Sequence, residues 1–508
     1  MRNRVILNPI AKLTSPLTRA EFLRVMGGAA LGVAARVGGV ATGLFAAADA
    51  LAVDTAVDVF PTGTYPTDFL EVSAAINGGA GPSGNVYPGG GTVRLKATDA
   101  SGTSNFFHFG DGSAAQPRLS VEIVKDVVVL GEMSSTVPSG LPVDPERDAW
   151  HPVDRTVIFG GFRPFACRSS APAPTVLAVR GLYFVQPAGA AVQVKMTAGL
   201  EVSDCIIYDV KIAATGGGTP PYFSTGVEAT GLNETSPMLT GVFRVLNNRI
   251  WRRPPTPTEF SRNSAGIVVQ VASMAAEIRQ NEVTGFPYAG IGIDRNAQAG
   301  VISDNRVVHC GYGPLPVSAG IAVGAAADGV VIERNEIVCG VHGPGQLSRR
   351  GITVASNSVL VKSNTVSGEA QVAGLWLTIW QTISASNCTL QLNGFSNLTA
   401  GVAQLQIDER CNFNRLIGNE YGDVDVSTGS AGALINGSNN QLTNETFWGS
   451  YTLLGYPTRP CVWLTPMSSY NLITALKFGT NGSSAICTQV LDQGVGNKIA
   501  GIERCPKK

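Results

Sequence analysis

Between Gly226 and Asn387 one unit recurs: a small residue and a glycine open an alternating apolar strand, and an asparagine later opens another. AGIVVQVASMAAEIRQNEV, AGIGIDRNAQAGVISDNRV, AGIAVGAAADGVVIERNEI, RGITVASNSVLVKSNTV and AGLWLTIWQTISASNCTL align almost without gaps. The step from glycine to asparagine is 15 residues from Gly266, Gly290 and Gly320, and 13 from Gly351 and Gly374. A period of roughly 23 to 31 residues with strand-type alternation and no 3.6-residue spacing means a solenoid in which each repeat is one coil. Leucine-rich repeats do not fit, because their leucine spacing is absent and the second half of each unit shows no helix. Each coil therefore carries three short strands, and parallel pairing at about 4.8 Å stacks like residues along the axis. Ile267/Val269, Ile291/Ile293, Ile321/Val323 and Ile352/Val354 are expected inside, and the residues between them outside. Asn248, Asn281, Asn305, Asn335, Asn364, Asn387, Asn419 and Asn444 are expected in register at one corner, in left-handed backbone and amide-bonded from coil to coil.

This pattern resembles the right-handed parallel β-helix family, the pectin-lyase-like fold, over about residues 60–500. DFLEVSAAI at 68–76 followed by GGGTVRL at 89–95 is similar to that family's helical cap and first strand. The implied class is all-β: a single right-handed parallel β-helix with a short N-terminal helix, cap and first coils within 53–175, main coils within 176–508. The resemblance implies no single activity, since the family includes polysaccharide lyases, glycoside hydrolases, uronate epimerases, adhesins and phage tailspikes. Composition agrees with a folded solenoid: 44% of the 508 residues are hydrophobic, 15% are charged and 60 are glycine. Lys+Arg equals Asp+Glu at 37 each, and without residues 1–52 the balance is slightly acidic, which excludes nucleic acid as a partner.

Residues 1–52 read as an export signal. Arg2, Arg4, Lys12, Arg19 and Arg24 precede a Gly/Ala-rich, mildly apolar stretch that ends in the small-x-small pattern Ala50-Leu51-Ala52. LTRAEFLRVMGGAALG resembles a twin-arginine translocation signal in which Ala20 replaces the second arginine. Arg36 and the glycines argue against a retained membrane anchor, so the expected location is periplasm, cell surface or medium without stable insertion. Nine cysteines show no zinc-ligand spacing. Cys205, Cys310, Cys339 and Cys388 are expected to be small core residues, and a bridge is expected among Cys461, Cys487 and Cys505.

The large length variation falls between each asparagine and the next glycine, where IWRRPPTPTEFSRNS, CGYGPLPVS and CGVHGPGQLSR would build a wall beside the first-strand sheet. Such a groove suits an extended polymer; tolerated surface insertions are the plain alternative. Its floor would run Glu228/Thr230, Val268/Gln270, Gly292/Asp294, Ala322/Gly324, Thr353/Ala355, Trp376/Thr378 and Gln406/Asp408. The small residues at 322–324 and 353–355 leave room for a sugar ring, and Trp376 offers a face to stack one. Glu228 and Asp294, two coils apart, lie at or beyond the upper limit for a glycosidase pair. A lyase or related uronate-processing enzyme needs cations that neutralise a sugar carboxylate and a base that removes the α-proton. Arg252, Arg253 and Arg350 are the candidate carboxylate binders, with Arg262 and Arg349 nearby, and Gln270 and Trp376 are further substrate contacts. His342 is the candidate base, while Glu228 and Asp294 position a hydroxyl or a divalent cation such as Ca2+. His309 reads as packed. The signature motifs of alginate epimerases, polygalacturonases and major pectate lyases are missing, so a non-catalytic exported β-helix that binds glycan or envelope competes with the enzyme reading.

Overall fold

A computed structural model describes residues 56–504 except 134–137, 139–140, 142–154, 168–175, 196–198, 212–223, 231–241, 255–263, 271–274, 295–299, 344, 381, 423–430, 449–459 and 480–487. The export signal, Arg262, Cys487 and Cys505 lie outside the described residues. The chain is a right-handed parallel β-helix. Its first strands stack into a 13-stranded sheet running from Val121–Glu122 to Thr488–Asp492, and the second and third strands pair parallel in the same coil-to-coil order.

Register follows side-chain chemistry. Val227, Ile267, Ile291, Ile321, Ile352, Leu375 and Leu405 are successive partners on the first-strand sheet, and all are fully buried in one core that runs the length of the solenoid. A one-residue slip would turn this whole set outward, which is why the alternation was readable. Helix α1, Thr67–Asn77, closes the N-terminal end by burying Val72, Ala75 and Ile76 against the same core. Asp68 anchors it by accepting hydrogen bonds from the Thr62, Thr64 and His108 amides. Glycine opens each first strand because a Cβ on Gly290 would lie 2.4 Å from Val307 Cγ1 and 2.9 Å from the Gly320 carbonyl.

The asparagine ladder exists with two corrections. Asn248, Asn281, Asn305, Asn335, Asn364, Asn393 and Asn419 each donate through Nδ2 to the side-chain oxygen one coil on, and Glu445 ends the row. The amide also donates to a carbonyl of the preceding coil, as Asn305 does to Ile278 at 2.9 Å. Asn387 and Asn444 are not in it. Both occupy a left-handed position, φ 57° and 58°, just before a corner residue, Cys388 and Glu445 respectively; the ladder asparagines do not. Asn387 belongs to a second corner, where Cys388 donates its N–H to Asn414 and the row continues through Asn440, Asn471 and Asn497. The displacement has a local cause: an antiparallel hairpin, Ile379–Trp380 with Ile383–Ser384, lengthens that coil before its second strand.

Cys205, Cys310, Cys339 and Cys388 are buried and reduced, as are Cys167 and Cys411. Cys461 is disulfide-bonded. No helix among the described residues is long and apolar enough to cross a membrane.

Candidate functional site on the outer face of the first-strand sheet

Pairing fixes three outward rows on the first-strand sheet. The middle row is Glu228, Val268, Gly292, Ala322, Thr353, Trp376, Gln406, Leu434 and Trp463. Beside it, at the ends of the strands, lie Thr230, Gln270 and Asp294, and further along Thr378 and Asp408. On the other side, just before the strand-opening glycine or, in one coil, Gln404, the position holds alanine at 265, 289, 319, 373, 403 and 431 and arginine at 350. The expected stacking of floor positions is therefore present.

The openness of the floor is not uniform. Over Val268 and Ala322 sits an apolar cover made by Tyr288 and Val317 from the wall side, with Leu315 and Trp380 packed on it. Trp380 comes from the hairpin that the repeat pattern does not show. Gly324 is small because Asp294 lies over it: a Cβ there would be 2.1 Å from Asp294 Oδ1. The small residues at 322–324 thus accommodate the protein's own side chains, and the space expected for a sugar is filled.

Further along the axis the face carries a polar cluster. The guanidinium carbon of Arg350 stands 3.8 Å from the centroid of the Trp376 ring. Trp376 Nε1 donates to Asp408 Oδ1 at 2.9 Å, Gln406 Nε2 to the same oxygen at 3.0 Å, and Thr378 Oγ1 to Oδ2 at 2.7 Å. Asp408, which the sequence places on the floor without a role because it reads as an ordinary strand-end acid, therefore fixes the plane of the indole. Three coils on, Trp463 repeats the arrangement, donating from Nε1 to Gln493 Oε1 at 3.1 Å. Both tryptophans are half-buried. Arg350 is only 4% exposed, and its Nε and Nη1, the Thr353 hydroxyl and Gln406 Oε1 find no hydrogen-bond partner among the described residues. Burial pushes the Arg350 guanidinium down to about 9, with Arg349 adding to the shift and Asp408 opposing it.

The other expected site residues are dispersed. Glu228 is held on the sheet by Thr225 Oγ1 at 3.3 Å and Thr230 Oγ1 at 2.7 Å. Asp294 lies two coils further along, beside Gln270 at the strand ends. His342 is on the wall, with Nε2 bonded to the Arg252 carbonyl at 2.9 Å and its ring stacked on Tyr312. Burial pushes it down to about 4, so it is neutral at physiological pH. Arg252 is buried beneath it, and Arg253 pairs with the buried Asp209 at 3.2 Å. Among the described residues no three His, Cys, Asp or Glu side chains gather as a metal site. The structure brings together Arg350 and Trp376, keeps Glu228 and Asp294 two coils apart on the outer face of the sheet as the repeat implies, and puts His342 on the wall.

A family model described as the right handed beta helix region matches residues 240–408. No curated protein matches. Solved structures with similar chain paths include the DFA-IIIase of Arthrobacter chlorophenolicus A6 without its lid (16% identity, TM-score 0.46, covering 86% of this chain and 98% of that one). The Azotobacter vinelandii mannuronan C-5 epimerase AlgE6 A-module gives 10% identity and a TM-score of 0.43, covering 83% and 92%. The periplasmic alginate epimerase AlgG gives 12% and 0.38, covering 68% and 76%. Identities this low transfer no residue roles.

Proposed function

We propose that the protein is an exported carbohydrate-active β-helix that lays a polysaccharide along the outer face of its first-strand sheet, across Arg350, Trp376, Gln406, Leu434 and Trp463. The observation that carries this reading is the pair of half-buried tryptophans in one outward row, each with its indole N–H tied to the strand-end residue of the next coil. Oriented aromatic surfaces at intervals along a rigid floor suit a chain of sugar rings, whose C–H faces are apolar and whose hydroxyls need donors and acceptors such as Gln406. The basic leader and the Ala50-Leu51-Ala52 pattern support export. Uronate processing, as a lyase or a relative of one, is the chemistry we assign: Arg350 holds a sugar carboxylate and so makes the adjacent proton easier to remove.

A binding-only protein is the second reading, favoured by His342 being engaged with the Arg252 carbonyl and stacked on Tyr312. Incubation with acidic and neutral polysaccharides, with and without calcium, separates the two. Ultraviolet-absorbing unsaturated ends are expected from a lyase, while reducing ends without them would mark hydrolysis. Retention on a glycan without either product would leave binding as the function.

A further inference from the structure

From the coil of Glu228 to the last coil, the three outward rows hold one cation, Arg350, against three carboxylates, Glu228, Asp294 and Asp408. A guanidinium buried to this degree with two nitrogens unbonded is costly unless an anion completes it. In the middle row the Thr353 hydroxyl and Gln406 Oε1, also buried and unbonded among the described residues, add a donor and an acceptor on the two coils that flank Trp376. Asp408 acts on this guanidinium only through space: its oxygens accept from Trp376, Gln406 and Thr378, and no hydrogen bond joins it to Arg350. Away from this seat toward the C-terminal end the middle row is neutral, Gln406, Leu434 and Trp463, over about four coil spacings or ~19 Å from Arg350. In the other direction lie the apolar cover and then Asp294 and Glu228.

A pyranose residue advances about as far as one coil, so a homopolymer of uronates would set a carboxylate over every coil or every second one. This floor answers one such charge and repels or ignores the rest. We infer that the surface takes a glycan whose acidic sugars are isolated, one carboxylated residue seated on Arg350 with Thr353 and Gln406, and neutral residues running from Trp376 to Trp463. The inference rests on the glycan reading above and narrows its substrate class to heteropolysaccharides with sparse uronates.

Calorimetric titration with three oligosaccharides of equal length tests it: one neutral, one with a single uronate per repeating unit, and one of uronates throughout. The mixed oligosaccharide should bind at least ~10-fold more tightly than either of the others. Arg350→Ala, which installs the residue that six other coils carry at this position, should keep the melting temperature and abolish the preference for the mixed chain over the neutral one. Arg350→Lys should keep part of it, since the charge survives without the fork of donors. Equal or tighter binding of the all-uronate chain, or a preference untouched by Arg350→Ala, overturns the inference and leaves the glycan reading standing. No binding of any of the three overturns the glycan reading itself.

Discussion

Glu445 occupies the ladder position that seven coils before it fill with asparagine, and it accepts hydrogen bonds from Asn419 and from the Tyr421 hydroxyl at 2.9 Å. Full burial pushes its carboxyl up to about 8 from an ordinary 4.5. The folded chain thus keeps a proton that the unfolded chain has lost, and stability must fall as pH rises from about 4.5 to about 8. Glu445→Gln keeps an acceptor for Asn419 and cannot ionise. Thermal melts across that range should show a flatter pH profile for the variant and a higher melting temperature than the parent above pH 8; an unchanged slope would assign the pH dependence elsewhere. Glycan contacts are tested at the same scale. Trp463→Ala should weaken polysaccharide binding about 10-fold with little change in melting, because the ring is half-buried and lies outside the core. What the sequence made legible here was side-chain direction: Trp376 was placed on the floor from alternation alone. Glu445 was hidden by the asparagine beside it, and Trp463 by a repeat too degenerate to extend that far. The pairing of Asp408 with an indole one coil away is a contact between residues 32 apart, which no local pattern encodes.

At the level of strands and corners, the ladder is the strongest local tie between coils. Asn305 Oδ1 receives the Asn281 backbone and side-chain amides at 3.0 and 2.9 Å, and its Nδ2 serves Ile278 and Asn335. Asn305→Ala would leave buried donors of Asn281 and the acceptors at Ile278 and Asn335 short of a partner, with a cost of roughly 2–4 kcal/mol. Denaturant unfolding checks this; a loss under 0.5 kcal/mol would mean that the corner is held mainly by backbone pairing. First strands, inward stacks and the α1 cap were readable because period-two alternation is local and is amplified by repetition. The Ile379–Ser384 hairpin was not, since Ile-Trp-Gln-Thr-Ile continues the preceding strand in every respect except its pairing. The hairpin displaces Asn387 by a corner and brings Trp380 onto the apolar cover, neither of which the repeat shows.

For the molecule as a whole, strands pair only with those of the neighbouring coils, and longer reaches are left to loops such as the one that brings His342 to the Arg252 carbonyl three coils back, so damage to a strand should stay near where it is made. The functional face follows the same logic: its register was legible from repeats, whereas its cover comes from loops of different coils that meet only in space. Denatured, unreduced protein should titrate seven thiols, the nine cysteines less the two of a single bridge at Cys461. Nine would mean that no bridge forms, and fewer than seven that the core thiols pair as well. The distribution of sulfur also dictates a chronology. Cys167, Cys205, Cys310, Cys339, Cys388 and Cys411 are sealed inside the stack, and burial pushes five of these thiols up to about 12, a state in which oxidants find no thiolate. Before the coils close, the same six are ordinary reactive groups. In an oxidising compartment the middle of the chain must therefore finish winding before its thiols meet an oxidant, while Cys461, near the last coils, needs that encounter to form its bond.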